Sequence, residues 1–97
     1  MKALWQGKME DDVWWDIPRE TSDMIESYRR EGAAFITYTF NWGYPRKCNY
    51  VDPDTGEVTN FSRYQIHDVD INEQEMWQQN LDTKVWRKVR CIYLEEV

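Results

Sequence analysis

The sequence predicts an α+β fold in which one helix packs on a mainly antiparallel sheet of about six strands. Three observations lead to this prediction: one convincing helical segment, several short runs rich in β-branched and aromatic residues, and a clear hairpin near the C-terminus. Ninety-seven residues form one domain, here residues 1–97. Six Trp, six Tyr and three Phe supply the large buried area that a core of this size needs.

The first elements are two short aromatic strands and a helix. Residues 4–6 and 13–16 flank a polar stretch and are typical of strands. A helix is predicted over residues 21–31, capped by Thr21 or Ser22 and ended by Gly32. Its apolar side consists of Met24, Ile25 and Tyr28, whereas Glu26, Arg29, Arg30 and Glu31 are expected to lie mostly in solvent. Such a narrow apolar side has to pack on a larger surface.

Further strands are predicted over residues 35–40, 48–51, 58–61 and 63–69. The segment 52–56 carries Pro, Asp and Gly where a turn requires them, so it joins the second and third of these strands. It also resembles a calcium loop, but the later ligands of such a loop are missing, and the turn is the favoured interpretation.

The hairpin at residues 76–91 is the most informative segment. Residues 76–80 and 85–91 flank a four-residue loop, and the simplest register pairs Gln78 with Arg87 and Met76 with Val89. One face then contains Met76, Gln78, Asn80, Val85, Arg87 and Val89. The opposite face contains Trp77, Gln79, Trp86, Lys88 and Arg90.

Composition and charge exclude several classes of protein. A mean hydropathy of -0.87 and the lack of an apolar run of roughly 18 residues exclude a membrane-spanning chain. The N-terminus lacks the apolar segment of a signal peptide, so an intracellular location, cytoplasmic or nuclear, is expected. The net charge of -6 argues against nucleic acid as the general partner. Residues 76–97 carry +1 and the other 75 carry -7, so an anion site is expected near the C-terminal segment.

Catalytic and metal-binding patterns are missing from the sequence. Cys48 and Cys91 are far apart, and one histidine, His67, is too few to complete a zinc site with them. Two free thiols are therefore favoured over a disulfide. No Ser/His/Asp or Cys/His arrangement and no phosphate loop is present, which predicts a protein that is not an enzyme and needs no cofactor.

The closing hairpin resembles the end of WWE domains. The family pattern runs Met, any residue, Gln, any residue, Asn, two residues, Thr-Gly, two residues, Arg, any residue, Val, Arg-Arg. The matching positions here are Met76, Gln78, Asn80, Thr83, Arg87, Val89 and Arg90. Lys84 replaces the Gly, and Cys91 replaces the last Arg. Upstream, Trp5 and Trp14-Trp15 match the two tryptophan positions, and Ile25-Glu26-x-Tyr28 matches the helix signature, so the resemblance covers about residues 4–92.

The resemblance implies a half-barrel sheet that cradles one helix and a non-catalytic binding function. WWE domains occur in ubiquitin ligases and ADP-ribosyltransferases, and several bind ADP-ribose or the iso-ADP-ribose unit of poly(ADP-ribose) in the mouth of the half-barrel. The implied partner is therefore an ADP-ribosylated protein or poly(ADP-ribose), and other domains of a ubiquitin ligase or ADP-ribosyltransferase are further partners that the resemblance implies. By position, Gln78 would contact the adenine and Arg87 and Lys8 the phosphates, while Trp5 and Trp15 would line the pocket. Tyr64, His67 or Val69 would take the position of the family's strand tyrosine.

Three departures from the family pattern bear on the ligand. Residues 41–63 form a longer insertion, which would cover or extend the mouth. Glu10, Asp11 and Asp12 follow Lys8 and would repel a pyrophosphate. Lys8 also replaces a residue that is commonly Arg and so loses two-pronged phosphate geometry.

Each proposed contact residue also has a structural interpretation. Arg87 could pair with Glu26 or another carboxylate, Gln78 could link two strands, and Trp5 and Trp15 could belong to the core, as Tyr28 is expected to do. Lys84, Lys88 and Arg90, with Trp77 and Trp86 among them, form either a solvated face or a second contact surface for a protein or a polymeric anion. The rival function is a protein-interaction module that keeps the fold without the ligand; single-stranded nucleic-acid binding is a distant third.

Overall fold

A curled six-stranded antiparallel sheet and one helix make up the computed structural model, which describes residues 2–9 and 11–95. The elements are β1 (Lys2–Lys8), β2 (Trp14–Asp16), α1 (Arg19–Arg30), β3 (Ile36–Asn41), β4 (Phe61–His67), β5 (Glu75–Asn80) and β6 (Trp86–Leu94). The strand order is β2-β1-β6-β5-β4-β3, so β2 and β3 are the two edge strands. The predicted α+β half-barrel with one helix is confirmed. No helix among the described residues is long and apolar enough to cross a membrane.

The core lies between the inner face of the sheet and the helix. Burial alternates along β1, β3, β4 and β5, as expected for strands with one solvated face. Trp5, Tyr64, Ile66 and Val89 are fully buried on the inner face, and Ile25 reaches them from the helix. Removing these side chains from water is the main contribution to the stability of so small a domain.

The helix begins earlier than the sequence predicted. Pro18 occupies the N-cap position with ψ 146°, so the predicted cap at Thr21 or Ser22 is wrong. Ser22 lies inside the helix instead, where its Oγ accepts a hydrogen bond of 2.9 Å from the backbone N–H of Trp5. The predicted end at Gly32 is confirmed, because Gly32 has φ 87° and its N–H donates to the Arg29 carbonyl at 3.0 Å.

The buried side of the helix is more polar than expected, although Ile25 is buried as predicted. Glu26 and Arg29 are buried, whereas Met24 and Tyr28 are exposed. The expected solvation of Glu26 and Arg29 is therefore wrong, as is the expected burial of Tyr28. Arg29 is tolerated inside because its guanidinium donates to both carboxylate oxygens of Glu26, at 2.8 and 2.9 Å. A buried charge is acceptable only when it is paired in this way.

The insertion between β3 and β4 carries no strand of its own. The predicted strands 48–51 and 58–61 reduce to one bridge, between Val51 and Val58, and β4 begins at Phe61 rather than at residue 63. The predicted turn is confirmed: the Asp52 carboxylate accepts from the Asp54 N–H at 2.8 Å. Tyr50 still pairs with the opposite arm, since its N–H donates to the Phe61 carbonyl and its carbonyl accepts from the Thr59 N–H, both at 2.8 Å. Asn49 adds a side-chain link, because its amide donates to the carbonyls of Tyr44 and Thr59.

The β5–β6 hairpin has the predicted register. Gln78 faces Arg87 and Met76 faces Val89, and β6 continues past Cys91 to Leu94. Asn80 shapes the loop, since its Oδ1 accepts from the backbone N–H groups of Asp82 and Thr83. Both cysteines are free thiols, as expected, and both are buried.

Candidate functional site

The two predicted phosphate-binding residues, Lys8 and Arg87, meet in one small pocket. It has a volume of about 190 Å³ and is lined by Lys8, Asp12, Trp77, Trp86, Arg87 and Lys88. It lies at the rim of the sheet, where β1 ends at Lys8 beside the first residues of β6. Among the described residues that line it, three side chains are positive and one is negative. In a chain of net charge -6, the rim pocket is a local concentration of positive charge.

Arg87 is three-quarters buried in this rim pocket. Its side chain is 24% exposed, and Nη1 lies 3.9 Å from Oδ1 of Asp12. Asp12 is itself mostly in solvent, so this contact is weak. The carboxylate beside Arg87 is thus Asp12 and not Glu26, which pairs with Arg29. Of the acidic residues expected beside Lys8, Asp12 reaches the pocket, Asp11 bonds Trp15, and Glu10 lies outside the described residues.

Lys8 points toward the outer face of the sheet. Its ammonium lies 5.6 Å from the centre of the Trp14 ring, while the neighbouring inner positions of β1 belong to Trp5 and Gly7. The backbone of Lys8 still faces the interior, since its carbonyl accepts from the Gln78 amide at 3.4 Å. Lys8 therefore reaches the rim pocket from outside the half-barrel.

Gln78 is packed into protein rather than facing an open pocket. It has no exposed surface. Its Oε1 accepts a hydrogen bond from the Tyr38 hydroxyl, and its Nε2 donates to the Lys8 carbonyl. The amide thus ties β5 to β1 and β3, which sit on either side of it in the half-barrel.

Met9 fills the space beside the Gln78 amide on the inner face of the half-barrel. It is fully buried, with Sδ 4.0 Å from Nε2 of Gln78. A Cβ at Gly7 would lie 2.8 Å from the Met9 Cε and 2.9 Å from the Gln78 Nε2, so only glycine leaves room for this packing. The tight turn after Met9 holds it in place, since the Asp12 N–H donates to the Met9 carbonyl at 2.9 Å.

Tyr64 occupies the inner face beside Gln78 and Tyr38. Its ring stacks on that of Tyr38 with centroids 5.5 Å apart, and both are buried. Burial, together with the neighbouring Tyr64, raises the pKa of Tyr38 well above its usual range. The other candidates for the strand-tyrosine position lie elsewhere: His67 contacts Trp86 on the outer face, and Val69 packs at the edge of the core.

The two predicted tryptophans have different roles. Trp5 is a core residue next to the helix, with the Arg29 guanidinium 5.4 Å from its ring centre. Trp15, on edge strand β2, contacts Phe40 and Trp42 at the opposite edge, with ring centroids 6.3 and 5.5 Å apart. Trp15 thus joins the two edges of the half-barrel and narrows its mouth.

The insertion covers the part of the inner face around Asn80. The Cys48 carbonyl accepts from the Asn80 amide at 3.1 Å, and the indole of Trp42 donates to Ser62 at 3.0 Å. Between the insertion and the hairpin loop lies a cleft of about 600 Å³, lined by Pro45, Arg46, Lys47, Cys48, Thr83 and Val85. This cleft is larger than the rim pocket, but it contains none of the predicted site residues.

A second buried polar group lies under the helix, away from the rim pocket. Arg29 donates to the Tyr93 hydroxyl at 2.7 Å as well as to Glu26. Burial alone would lower the pKa of Arg29, but the hydrogen bonds to Tyr93 and Glu26 outweigh this effect and raise the pKa above its usual value. The Cys91 thiol is 3.4 Å from the Glu26 carboxylate. Burial and that negative charge raise the pKa of Cys91 to about 11, so it is an unreactive thiol at neutral pH.

Sequence reasoning missed the residues that close the mouth and those that complete the rim pocket. Tyr38 follows from strand alternation through Ile36, Tyr38 and Phe40. Met9 lies one residue past the end of β1, and its burial depends on contacts with Gly7 and Gln78. Trp77, Trp86 and Lys88 were placed on the opposite face from Arg87. They share a pocket with it because the pocket lies at the rim of the sheet, where both faces are accessible.

The described residues contain no cluster of three His, Cys, Asp or Glu side chains that could hold a metal ion. No protein-family model matches the chain, and no curated protein matches it either.

Proposed function

We propose that the chain is a non-catalytic binding module of the WWE type that recognises an ADP-ribose unit, with the phosphates held at the rim pocket by Arg87 and Lys8. The observation that carries the proposal is the meeting of these two side chains in one pocket with aromatic walls. A guanidinium that is three-quarters buried gives stronger, better directed bonds to phosphate than one in bulk water.

The fold supports the same interpretation. Gln78 and Arg87 are partners across the β5–β6 ladder, at the positions that the family resemblance assigns to adenine and phosphate contacts. The Tyr38–Tyr64 pair adjoins the Gln78 amide and offers an apolar, aromatic wall for a base. A ligand held by Arg87 can therefore extend toward Gln78.

Full entry of the adenine requires Met9 to move. The Met9 side chain contacts the Gln78 amide, and a base bonded to that amide would occupy the same volume. Met is unbranched and flexible, so its side chain can adopt another rotamer, at the cost of part of its burial. Ligand binding then includes a rearrangement of the segment after β1, and its association rate is expected to fall below the usual range for preformed sites.

The test is a titration of the ¹⁵N-labelled chain with ADP-ribose, iso-ADP-ribose and AMP. Saturable shifts are expected at Lys8, Met9, Gln78 and Arg87, and Arg87→Ala should weaken binding at least about tenfold, as removal of a charged phosphate contact does. Arg19→Ala is the matched control, since Arg19 is an exposed arginine at the start of α1. It should leave the affinity unchanged. No shifts at millimolar ligand, or equal losses in both variants, would contradict the proposal.

One observation favours a second candidate, a protein-interaction module with the same fold. Gln78 has no exposed surface and its amide is bonded inside the protein, as a purely structural residue would be. Trp77 and Trp86, by contrast, are 49% and 47% exposed on the outer face. Under this candidate, Arg87→Ala lowers stability, and ADP-ribose gives no shifts with the wild-type chain.

A further inference from the structure

The outer side of the rim pocket carries groups that one ADP-ribose unit in the mouth leaves unused. Lys88, Trp77 and Trp86 line the pocket together with Arg87, but they extend along the outer face of the sheet. Lys88 faces Trp77 across the β5–β6 ladder, and its ammonium lies 4.3 Å from the centre of the Trp77 ring. Positive charge and flat aromatic surface are thus adjacent here.

The exposure of the two tryptophans is unusual for side chains of this size. Each leaves nearly half of its surface in water, although burial of a tryptophan is strongly favourable. Trp86 is supported by an edge contact with His67, at 4.7 Å between ring centroids, and this contact helps to fix the orientation of the indole. An ordered, exposed indole beside a cation is a surface suited to stacking a base and pairing with its phosphate.

The size of the rim pocket limits what it can hold. A volume of about 190 Å³ is smaller than the usual site for a drug-sized ligand, which occupies about 300 to 1,000 Å³. It accommodates one ring or one phosphate of a larger ligand whose remainder lies outside it. Arg87 lines this pocket and is also the cross-strand partner of the buried Gln78, so it lies between the pocket and the inner face of the sheet.

We propose that Trp77, Trp86 and Lys88 form a second subsite, on the outer side of the rim, for the base and phosphate of the next nucleotide unit along a poly(ADP-ribose) chain. The inference rests on the proposed function and deepens it, because it makes the ligand a polymer that passes over the rim at Arg87. One unit lies inward of Arg87, and its neighbour stacks on the outer indoles with its phosphate beside Lys88.

The experiment compares ADP-ribose with a short ADP-ribose oligomer of defined length on three forms of the chain. Lys88→Gln removes the charge and keeps an unbranched polar side chain that is one atom shorter. Arg90→Gln is the matched control, because Arg90 lies two residues further along the outer face of β6 and stacks on Trp14, outside the pocket. Affinities are measured by calorimetry, and the indole N–H signals of Trp77 and Trp86 are followed by NMR.

Wild-type chain should bind the oligomer more tightly than the monomer, and both indole signals should shift further for the oligomer than for the monomer. Lys88→Gln should weaken oligomer binding about three- to tenfold, as expected for one charge-assisted contact, and should weaken monomer binding by a clearly smaller factor. Arg90→Gln should change neither. Equal affinities for oligomer and monomer, equal effects of the two substitutions, or tighter binding of a single-stranded oligoadenylate of equal charge would overturn the inference.

Failure of the inference can be told from failure of the proposed function. If ADP-ribose binds and Arg87→Ala abolishes binding while Lys88→Gln has no effect on the oligomer, the outer subsite alone is wrong. If neither monomer nor oligomer binds the wild-type chain, both are wrong. Trp86→Phe keeps an aromatic ring next to His67 and therefore keeps the fold, but it offers a smaller stacking surface. A loss of oligomer affinity in this variant then comes from the stacking surface and not from unfolding.

Discussion

Gln78 and Arg87 are partners across the β5–β6 ladder, yet their side chains lie in opposite environments. Gln78 is fully buried beneath Met9, whereas Arg87 reaches the rim pocket and is partly in solvent. The inner end of the site is therefore closed by the protein itself, and the outer end is accessible. Both ends contact the segment after β1: Met9 covers Gln78 at the inner end, and Asp12 lies beside Arg87 at the outer end.

Met9→Ala is expected to open a cavity beside Gln78. The substitution should lower the free energy of unfolding by about 2–5 kcal/mol, the usual cost of removing a buried Met side chain. Met9→Leu conserves volume and should cost less than about 1.5 kcal/mol. Urea unfolding measures both. The control is Met24→Ala: Met24 lies on the exposed side of the helix, and its loss should cost within about 0.5 kcal/mol.

The same variant tests whether Met9 obstructs the adenine. If the proposed function holds, Met9→Ala binds AMP more tightly than the wild-type chain does, and Met9→Leu does not. A stability loss without a gain in affinity would mean that Met9 is a core residue only, and that the ligand does not approach Gln78.

Asp12→Asn should strengthen anion binding at the rim pocket. The Asp12 carboxylate lies 3.9 Å from the Arg87 guanidinium and competes with an incoming phosphate. Its removal should raise the affinity for ADP-ribose about two- to fivefold, the value of an exposed ion pair, and high salt should reduce the difference. Asn suits this position because residue 12 has φ 62°, which Asn tolerates. Asp54→Asn removes the same charge from the distant turn and should have no effect.

Strand alternation explains how much of this arrangement the sequence could predict. The pattern from Met76 to Val89 determined the register of the hairpin, because a shift of one residue would expose its whole buried face. Met9 was missed because β1 was expected to end at Gln6, which placed residues 7–9 in a polar loop. The burial of Met9 depends on space left by Gly7, across the sheet from Gln78, and a local pattern does not contain that information.

The residues that line the rim pocket and those on the buried side of the helix could not be predicted from the sequence, because both depend on contacts between distant parts of the chain. Alternation assigns each side chain to a face, but at the end of a strand side chains of both faces can meet around the edge, as Trp86 and Arg87 do. Glu26 and Arg29 look solvated because charged residues usually are. Their burial depends on partners far along the chain, above all the Tyr93 hydroxyl.

Lys84→Gly is expected to stabilise the β5–β6 hairpin. Lys84 has φ 67° at the position where the WWE pattern has Gly, and a side chain there is strained. The substitution should raise the free energy of unfolding by about 0.5–1 kcal/mol, since the relief of strain exceeds the greater entropy of glycine in the unfolded chain. Lys84→Ala keeps the strain and should bring no gain. An equal gain in the free energy of unfolding for both variants would show that the effect comes from loss of the Lys84 charge and not from relief of backbone strain.

Glu26 and Arg29 should behave as a coupled pair. Glu26→Ala leaves the Arg29 guanidinium buried without its carboxylate and should cost about 3–5 kcal/mol. The double variant Glu26→Leu, Arg29→Met should recover much of this loss, and a double-mutant cycle from urea unfolding gives the coupling energy. Arg30 contacts the same carboxylate from solvent at 3.6 Å, and Arg30→Ala should cost less than about 1 kcal/mol. Additive losses at positions 26 and 29 would contradict the coupling.

Cys91 should make the fold less stable in alkali. Its pKa in the folded chain is about 11, against an ordinary value of 9.0, so the unfolded chain loses this proton first. The stabilising contribution is complete below about pH 9 and is lost as the pH rises to about 11, with a size on the order of 2 kcal/mol.

Cys91→Ser does not titrate there, so the difference in unfolding free energy between wild type and variant should shrink over that interval. Tyr38, whose pKa is also raised, destabilises both proteins alike at high pH and cancels in the difference. A constant difference from pH 8 to pH 11 would show that the Cys91 thiol is not held protonated by its burial beside Glu26.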